Sequence, residues 1–244
     1  MSDRRTVSPW ERQRHPVRHC GIQNMRSIRP AEGQQEGIIM NQVNAQTRSL
    51  AILGLMTALL MVFSFTPIGT IPIGPLSITL NIIPVAVAAV ALGPKGGLAM
   101  GSVFGLLSFL QCLGIGIPSG MGAMLFSINP FLAFLQRFVP RALDGLLVGC
   151  LFRFCQKTIG PVPACFVAGF CSAFLNTLFF MSALILLFGS TDYVQGLING
   201  RNVVVFVCAF VGINAVVEMV SSTLITGLLG SALYSAKILP LEQK

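Results

Sequence analysis

Residues 131–152 form a stretch long and apolar enough to cross a bilayer at ~1.5 Å of helix per residue, yet they carry Arg137, Arg141 and Asp144. Spacings of four and three place all three charges on one side of a helix. Charge in hydrocarbon is costly, so that side must face a bundle interior, a partner or a water-filled cavity. Such a helix requires other helices around it, and its arginines require something polar to hold. A small anionic solute meets that requirement.

Only 10% of the 244 residues are charged and mean hydropathy is +0.78, where a soluble domain has roughly a quarter of its residues charged. The composition is that of an integral membrane protein. A net charge of +8 invites a nucleic-acid reading, but seven of the 16 basic residues crowd into 1–39. Most of the others sit at the ends of apolar runs, as topology signals do. No nucleic acid is expected as a partner. The seven cysteines include no C-x-x-C pair, and six lie in or beside apolar runs, where free Cys behaves as a small hydrophobe. No metal is expected.

Residues 1–39 are polar and Arg-rich and read as a disordered basic tail, with Trp10 and a His15-x-x-x-His19-Cys20 spacing that lacks further ligands. Met40 opens a more usual lead-in to a membrane helix and is the expected start. The membrane domain then spans 40–237, and 238–244 is a cytoplasmic tail. Apolar runs cover 49–65, 77–93, 97–113, 131–152, 161–188 and 203–233. The fold class expected is therefore an all-α integral membrane protein, six transmembrane helices in one bundle. Arg48, Lys95, Arg153, Lys157 and Lys237 fall on one side and Arg201, with Asp192, on the other. The positive-inside rule accordingly puts the N and C termini in the cytoplasm.

Nothing in the sequence suggests catalysis. Gly93-Pro-Lys-Gly-Gly97 is a tight turn rather than a phosphate-binding loop, and neither H-E-x-x-H nor G-x-S-x-G is present. The chain is not expected to be an enzyme. Small residues recur at packing spacing in Gly54-x-x-x-Ala58, with Ala51 a turn earlier, and in Gly97-x-x-x-Gly101-x-x-x-Gly105. Such stripes serve close packing within the bundle or docking to a second membrane subunit.

With the topology above, the polar groups fall in the outer half or near the midplane. Asn129 lies at the mouth of run four, and Gln111 with Ser108 near the outer end of run three. Asn81 is near the outer end of run two, Asn176 at mid-depth in run five, and Asn214 four residues before Glu218 in run six. Arg137 is expected to contact ligand. Asp144 and Glu218 are expected to neutralise Arg141 within an internal network, and Arg141 fits both roles. Paired guanidinium donors suit a carboxylate, and Asn129, Gln111, Asn81, Asn176 and Asn214 are expected to join the two arginines as ligand contacts. The glycines of 114–122 are placed to hinge a lid over the site.

These residues resemble a known family. Ile83-Pro84, Leu92-Gly-Pro-Lys-Gly-Gly97, Gly101-x-x-x-Gly105-Leu-x-Ser108-Phe, Phe126-Ser-Ile-Asn-Pro130, Val139-Pro-Arg141, Asn176-Thr177 and Asn214-x-x-x-Glu218 are similar, in order and spacing, to the substrate-binding S components of energy-coupling-factor (ECF) vitamin transporters. The resemblance covers about 45–235 and is nearest to the pantothenate and folate groups. It implies a multi-pass protein of the cell membrane that captures a vitamin from outside. It also implies a membrane coupling subunit and two cytoplasmic ATPases as partners. ATP is then used by those subunits, with no cofactor in this chain. The coupling-subunit motif of the family maps to Ala51, Gly54 and Ala58. The expected cargo is pantothenate first and folate second. A stand-alone secondary transporter of a small organic anion is the alternative, although no inverted repeat is apparent, and a ligand-free membrane scaffold is a third reading.

Overall fold

The computed structural model describes residues 32–67, 69–73, 76–200 and 202–236. Outside the described residues lie 1–31, with Trp10 and the His15–His19–Cys20 spacing, and also Arg201, Lys237 and the tail 238–244. The chain divides into two units, Met1–Gln46 and Thr47–Lys244. Helix α1 (Glu32–Phe65) begins inside the stretch assigned from sequence to the tail.

The second unit continues with a short hairpin, β1 (Thr70–Ile73) and β2 (Leu76–Thr79), then α2 (Ile82–Cys112), α3 (Gly120–Ile128) and α4 (Pro130–Ile159). It ends with α5 (Pro161–Phe188), α6 (Asp192–Ile198) and α7 (Val203–Ser235). The strands pair antiparallel, Thr70 opposite Thr79 and Ile73 opposite Leu76. The class is helical, as read from sequence, with this two-stranded hairpin as an addition the sequence reading did not include. Four helical stretches are long and apolar enough to cross a membrane: Gln46–Phe65, Ile82–Cys112, Pro161–Phe188 and Asn214–Ser235. Helix α4 has the length but carries Arg137, Arg141, Asp144, Arg153 and Lys157.

Runs two and three of the sequence are the two limbs of α2. The break falls at Gly93, whose φ of 71° and ψ of −161° are open essentially to glycine alone. Pro94 follows it. Residues eight apart in a continuous helix would be separated by ~12 Å, but a Cβ built on Gly97 lies 2.9 Å from the Cβ of Ala89. The chain therefore doubles back at Gly93, and limbs 82–92 and 94–112 run side by side.

The second limb packs on α4 with almost no space between backbones. A Cβ on Gly97 would collide with the carbonyl of Gly145, one on Gly101 with the carbonyl of Arg141, and one on Gly105 would stand 2.9 Å from Cα of Phe138. On the other side of the turn, a Cβ on Gly149 would meet Pro94 at 2.6 Å. The Gly97/Gly101/Gly105 stripe thus serves packing inside the bundle. Helix α4 also packs on α5, and α7 packs on α5 and on α2. The last contact lies near Val90, 3.4 Å from a Cβ built on Gly230. Helices α4 and α7 consequently stand on opposite walls, with α2 and α5 between them. Ala51, Gly54 and Ala58 of α1 are exposed, with nothing within 4 Å of a Cβ on Gly54.

Candidate functional site

Between those walls lies a cavity of about 90 Å³, room for several waters or a small organic molecule at ~10–15 Å³ per water centre. Its rim and walls come from every element around it. The second limb of α2 gives Phe104, Ser108 and Gln111, and the segment before α3 gives Ser119. Helix α4 gives Arg137 and Arg141, α5 gives Asn176, Thr177 and Phe180, α7 gives Asn214 and Glu218, and the end of β2 gives Thr79.

The two arginines dominate the chemistry. Both are almost fully buried, 6% and 5% exposed. The Nη1 of Arg137 donates to Ser108 Oγ at 3.5 Å and its Nη2 to Ser119 Oγ at 3.0 Å. Arg141 donates from Nη1 to the carbonyl of Arg137 at 3.0 Å. One aromatic ring serves both: the guanidinium carbons of Arg137 and Arg141 lie 5.1 and 5.3 Å from the centroid of Phe180. Arg141 also stands 4.6 Å over Phe104. Ring faces attract cations, and here they hold two like charges one helical turn apart. The Nε of each arginine is buried without a hydrogen-bond partner.

Among the described residues no carboxylate closes on either arginine. Asp144 lies one turn along from Arg141, fully buried, and its Oδ2 accepts from Ser172 Oγ at 3.3 Å. Glu218 lines the cavity from α7, and its Oε1 accepts from the backbone N–H of Thr79 at 2.7 Å. Both acids exert a coulombic pull on Arg141, although neither closes into a direct ion pair with it among the described residues. Two buried cations with no acid in direct contact are unfavourable, and an anion between them and the cavity relieves that cost.

Of the seven residues read from sequence as ligand contacts, Arg137, Arg141, Gln111, Asn176 and Asn214 line the cavity. Gln111 is partly committed, its Nε2 donating to the carbonyl of Ser64 at 3.2 Å, while the Oδ1 of Asn176 is buried without a partner. Asn129 is not at the cavity. It caps α4, its Oδ1 accepting from the N–H groups of Phe131 (3.1 Å) and Leu132 (3.2 Å). Asn81 is also elsewhere, buried immediately before α2 with its Oδ1 unpartnered. The sequence reading missed Ser119 and Phe180. Phe180 was findable as the residue one turn beyond Asn176 on the same face. Ser119 lay in a loop recognised for its glycines, and only folding brings its hydroxyl to Arg137.

The fold and site define a helical membrane protein that buries a cationic cavity. Residues 48–230 match the family described as "ECF transporter, substrate-specific component", and the chain belongs to that family. Among its relatives, the "Pantothenate transporter PanT" of Leuconostoc mesenteroides subsp. mesenteroides is 27% identical over 204 residues, covering 78% of this chain and 94% of that protein. The "Pantothenic acid transporter PanT" of Lactococcus lactis subsp. cremoris is 25% identical over 210 residues, covering 79% and 97%.

Proposed function

We propose that the chain is the substrate-binding subunit of an ECF importer in the plasma membrane, and that it captures pantothenate from outside. The observation that supports this reading is the pair of buried guanidinium groups, Arg137 and Arg141, facing one cavity with no carboxylate in direct contact with either among the described residues. Pantothenate supplies the missing anion through its carboxylate, and the names of the two relatives favour it over folate. Gln111, Asn176 and Asn214 provide amides for the rest of the molecule.

In this reading α1, the two limbs of α2, α4, α5 and α7 are six spans, and both termini are cytoplasmic. The segment around Ser119 closes the outer mouth. The exposed Ala51, Gly54 and Ala58 face a membrane coupling subunit. Two ATPases bound to that subunit consume the ATP, and this chain carries no cofactor. Calorimetric titration of the detergent-purified protein with pantothenate, folate and riboflavin tests the assignment. Tight binding of pantothenate alone is expected. A folded, monodisperse sample that ignores pantothenate would overturn it.

A further inference from the structure

The cavity is polar in a directional way. Both guanidinium groups come from α4, whereas the one carboxylate among the residues lining it, Glu218, comes from α7. Those helices stand on opposite walls, with α2 and α5 between them; Arg141 and Glu218 attract each other across the cavity but close no ion pair among the described residues. The Glu218 carboxylate is also held in place: the backbone N–H of Thr79 donates to Oε1 at 2.7 Å, and the side chain is 7% exposed. Asn214, one turn earlier on α7, lines the same wall, and on α5 the buried Oδ1 of Asn176 has no partner. One wall therefore offers donors alone for an anion. The α7 wall offers a carboxylate, and α5 an unpartnered amide oxygen, that ask for donors.

The geometry points to a cargo recognised at both ends, with Glu218 as the residue that reads a hydroxyl group at the end remote from the carboxylate. This inference rests on the functional reading above and deepens it. A carboxylate-only ligand of the same length would satisfy α4 and leave Glu218 and Asn176 buried against apolar atoms. A site built to hydrogen-bond a hydroxyl discriminates strongly against a ligand that lacks it, because the buried acceptor is then left unpaired. Pantothenate has the required pattern: a carboxylate on one end and two hydroxyl groups on the other. The same acceptor wall opposes a second anionic group, so a dicarboxylate of similar length is rejected. Glu218 thus acts as a specificity-determining residue and also holds β2 through Thr79.

The two roles separate with Glu218→Gln. Its carbonyl oxygen still accepts from Thr79, but the atom facing the cavity becomes an NH₂ donor. The experiment is titration of the full chain with two ligands, pantothenate and the analogue in which both hydroxyls are replaced by hydrogen. Wild-type protein is expected to bind pantothenate at least a hundredfold more tightly than the analogue. In Glu218→Gln that ratio should fall tenfold or more, through weaker pantothenate binding at unchanged affinity for the analogue. Arg137→Ala should weaken both ligands together and preserve the ratio. Glu218→Ala, followed by size-exclusion monodispersity and thermal unfolding, provides a second variant if the glutamine protein does not fold. A ratio that survives both Glu218 substitutions would overturn the inference while leaving pantothenate as cargo. Failure of the wild type to bind pantothenate would instead overturn the functional reading, and this inference with it.

Discussion

Gly101 lies directly on the carbonyl of Arg141, so close that a Cβ on the glycine would collide with that oxygen. The contact joins the packing of α2 on α4 to the placement of the cationic side chains. Because the backbones touch at Gly97/Gly145 and Gly101/Arg141, α4 is pressed onto α2 at the depth where its arginines turn into the cavity.

Gly101→Val should therefore do more than loosen a helix pair. Overpacking a close interface costs typically 1–3 kcal/mol, and here the second limb of α2 must move off α4 and carry Phe104 away from Arg141. The expected outcome is a lower thermal unfolding temperature in detergent together with weakened pantothenate binding. Gly54→Val, at an exposed position with nothing within 4 Å of its Cβ, is the control and should change neither.

Arg137→Ala should weaken ligand binding by about tenfold to a hundredfold, since hydrogen bonds to charged groups contribute about 1.5–3 kcal/mol and 1.4 kcal/mol is tenfold. The Arg137 guanidinium donates to two serine hydroxyls and forms no ion pair among the described residues, so its loss leaves no directly paired acid stranded and the folded yield should hold. Arg137→Lys keeps the charge but loses the planar fork, and its affinity should fall between the two. Equal affinity of all three proteins in the titration would remove Arg137 from the site.

Gly122 tests the wall behind that arginine. A Cβ there would stand 2.6 Å from Cys112 Sγ and 2.9 Å from Arg137 Nη2. Gly122→Val should push the guanidinium off Ser119 and reduce affinity severalfold or more, with a smaller effect on unfolding temperature than Gly101→Val, since it meets side-chain ends rather than backbone. Unchanged affinity would mean that α3 yields without disturbing the arginine.

Much of this arrangement was legible in the sequence, and the failures have physical reasons. Charges at 137, 141 and 144 could only point inward, and Gly93-Pro94 could only break a helix. Five of seven polar candidates reach the cavity because helical periodicity fixes which face a residue occupies. Asn129 did not, although Asn followed by Pro is a helix-start signal that outranks a ligand role. The hairpin of Thr70–Ile73 and Leu76–Thr79 was obscured by Pro72 and Pro75, which read as loop. The partners of Asp144 and Glu218 were beyond reach, since Ser172 and the Thr79 amide lie 28 and 139 residues away and meet them only through the fold.

The small-residue face of α1 makes the last prediction. Two small-residue stripes of helical spacing have different fates here: Gly97, Gly101 and Gly105 are covered by α4, while Ala51, Gly54 and Ala58 remain exposed. Small residues in a membrane helix add little by facing lipid, but they let a second helix approach closely. On the proposed assembly that second helix belongs to the coupling subunit. Gly54→Leu combined with Ala58→Leu should therefore abolish co-purification with the coupling subunit and ATPases, and uptake with it. Pantothenate titration of the isolated chain should be unaffected, because neither residue lines the cavity. Intact co-purification would place the coupling surface on another face and leave this one to lipid.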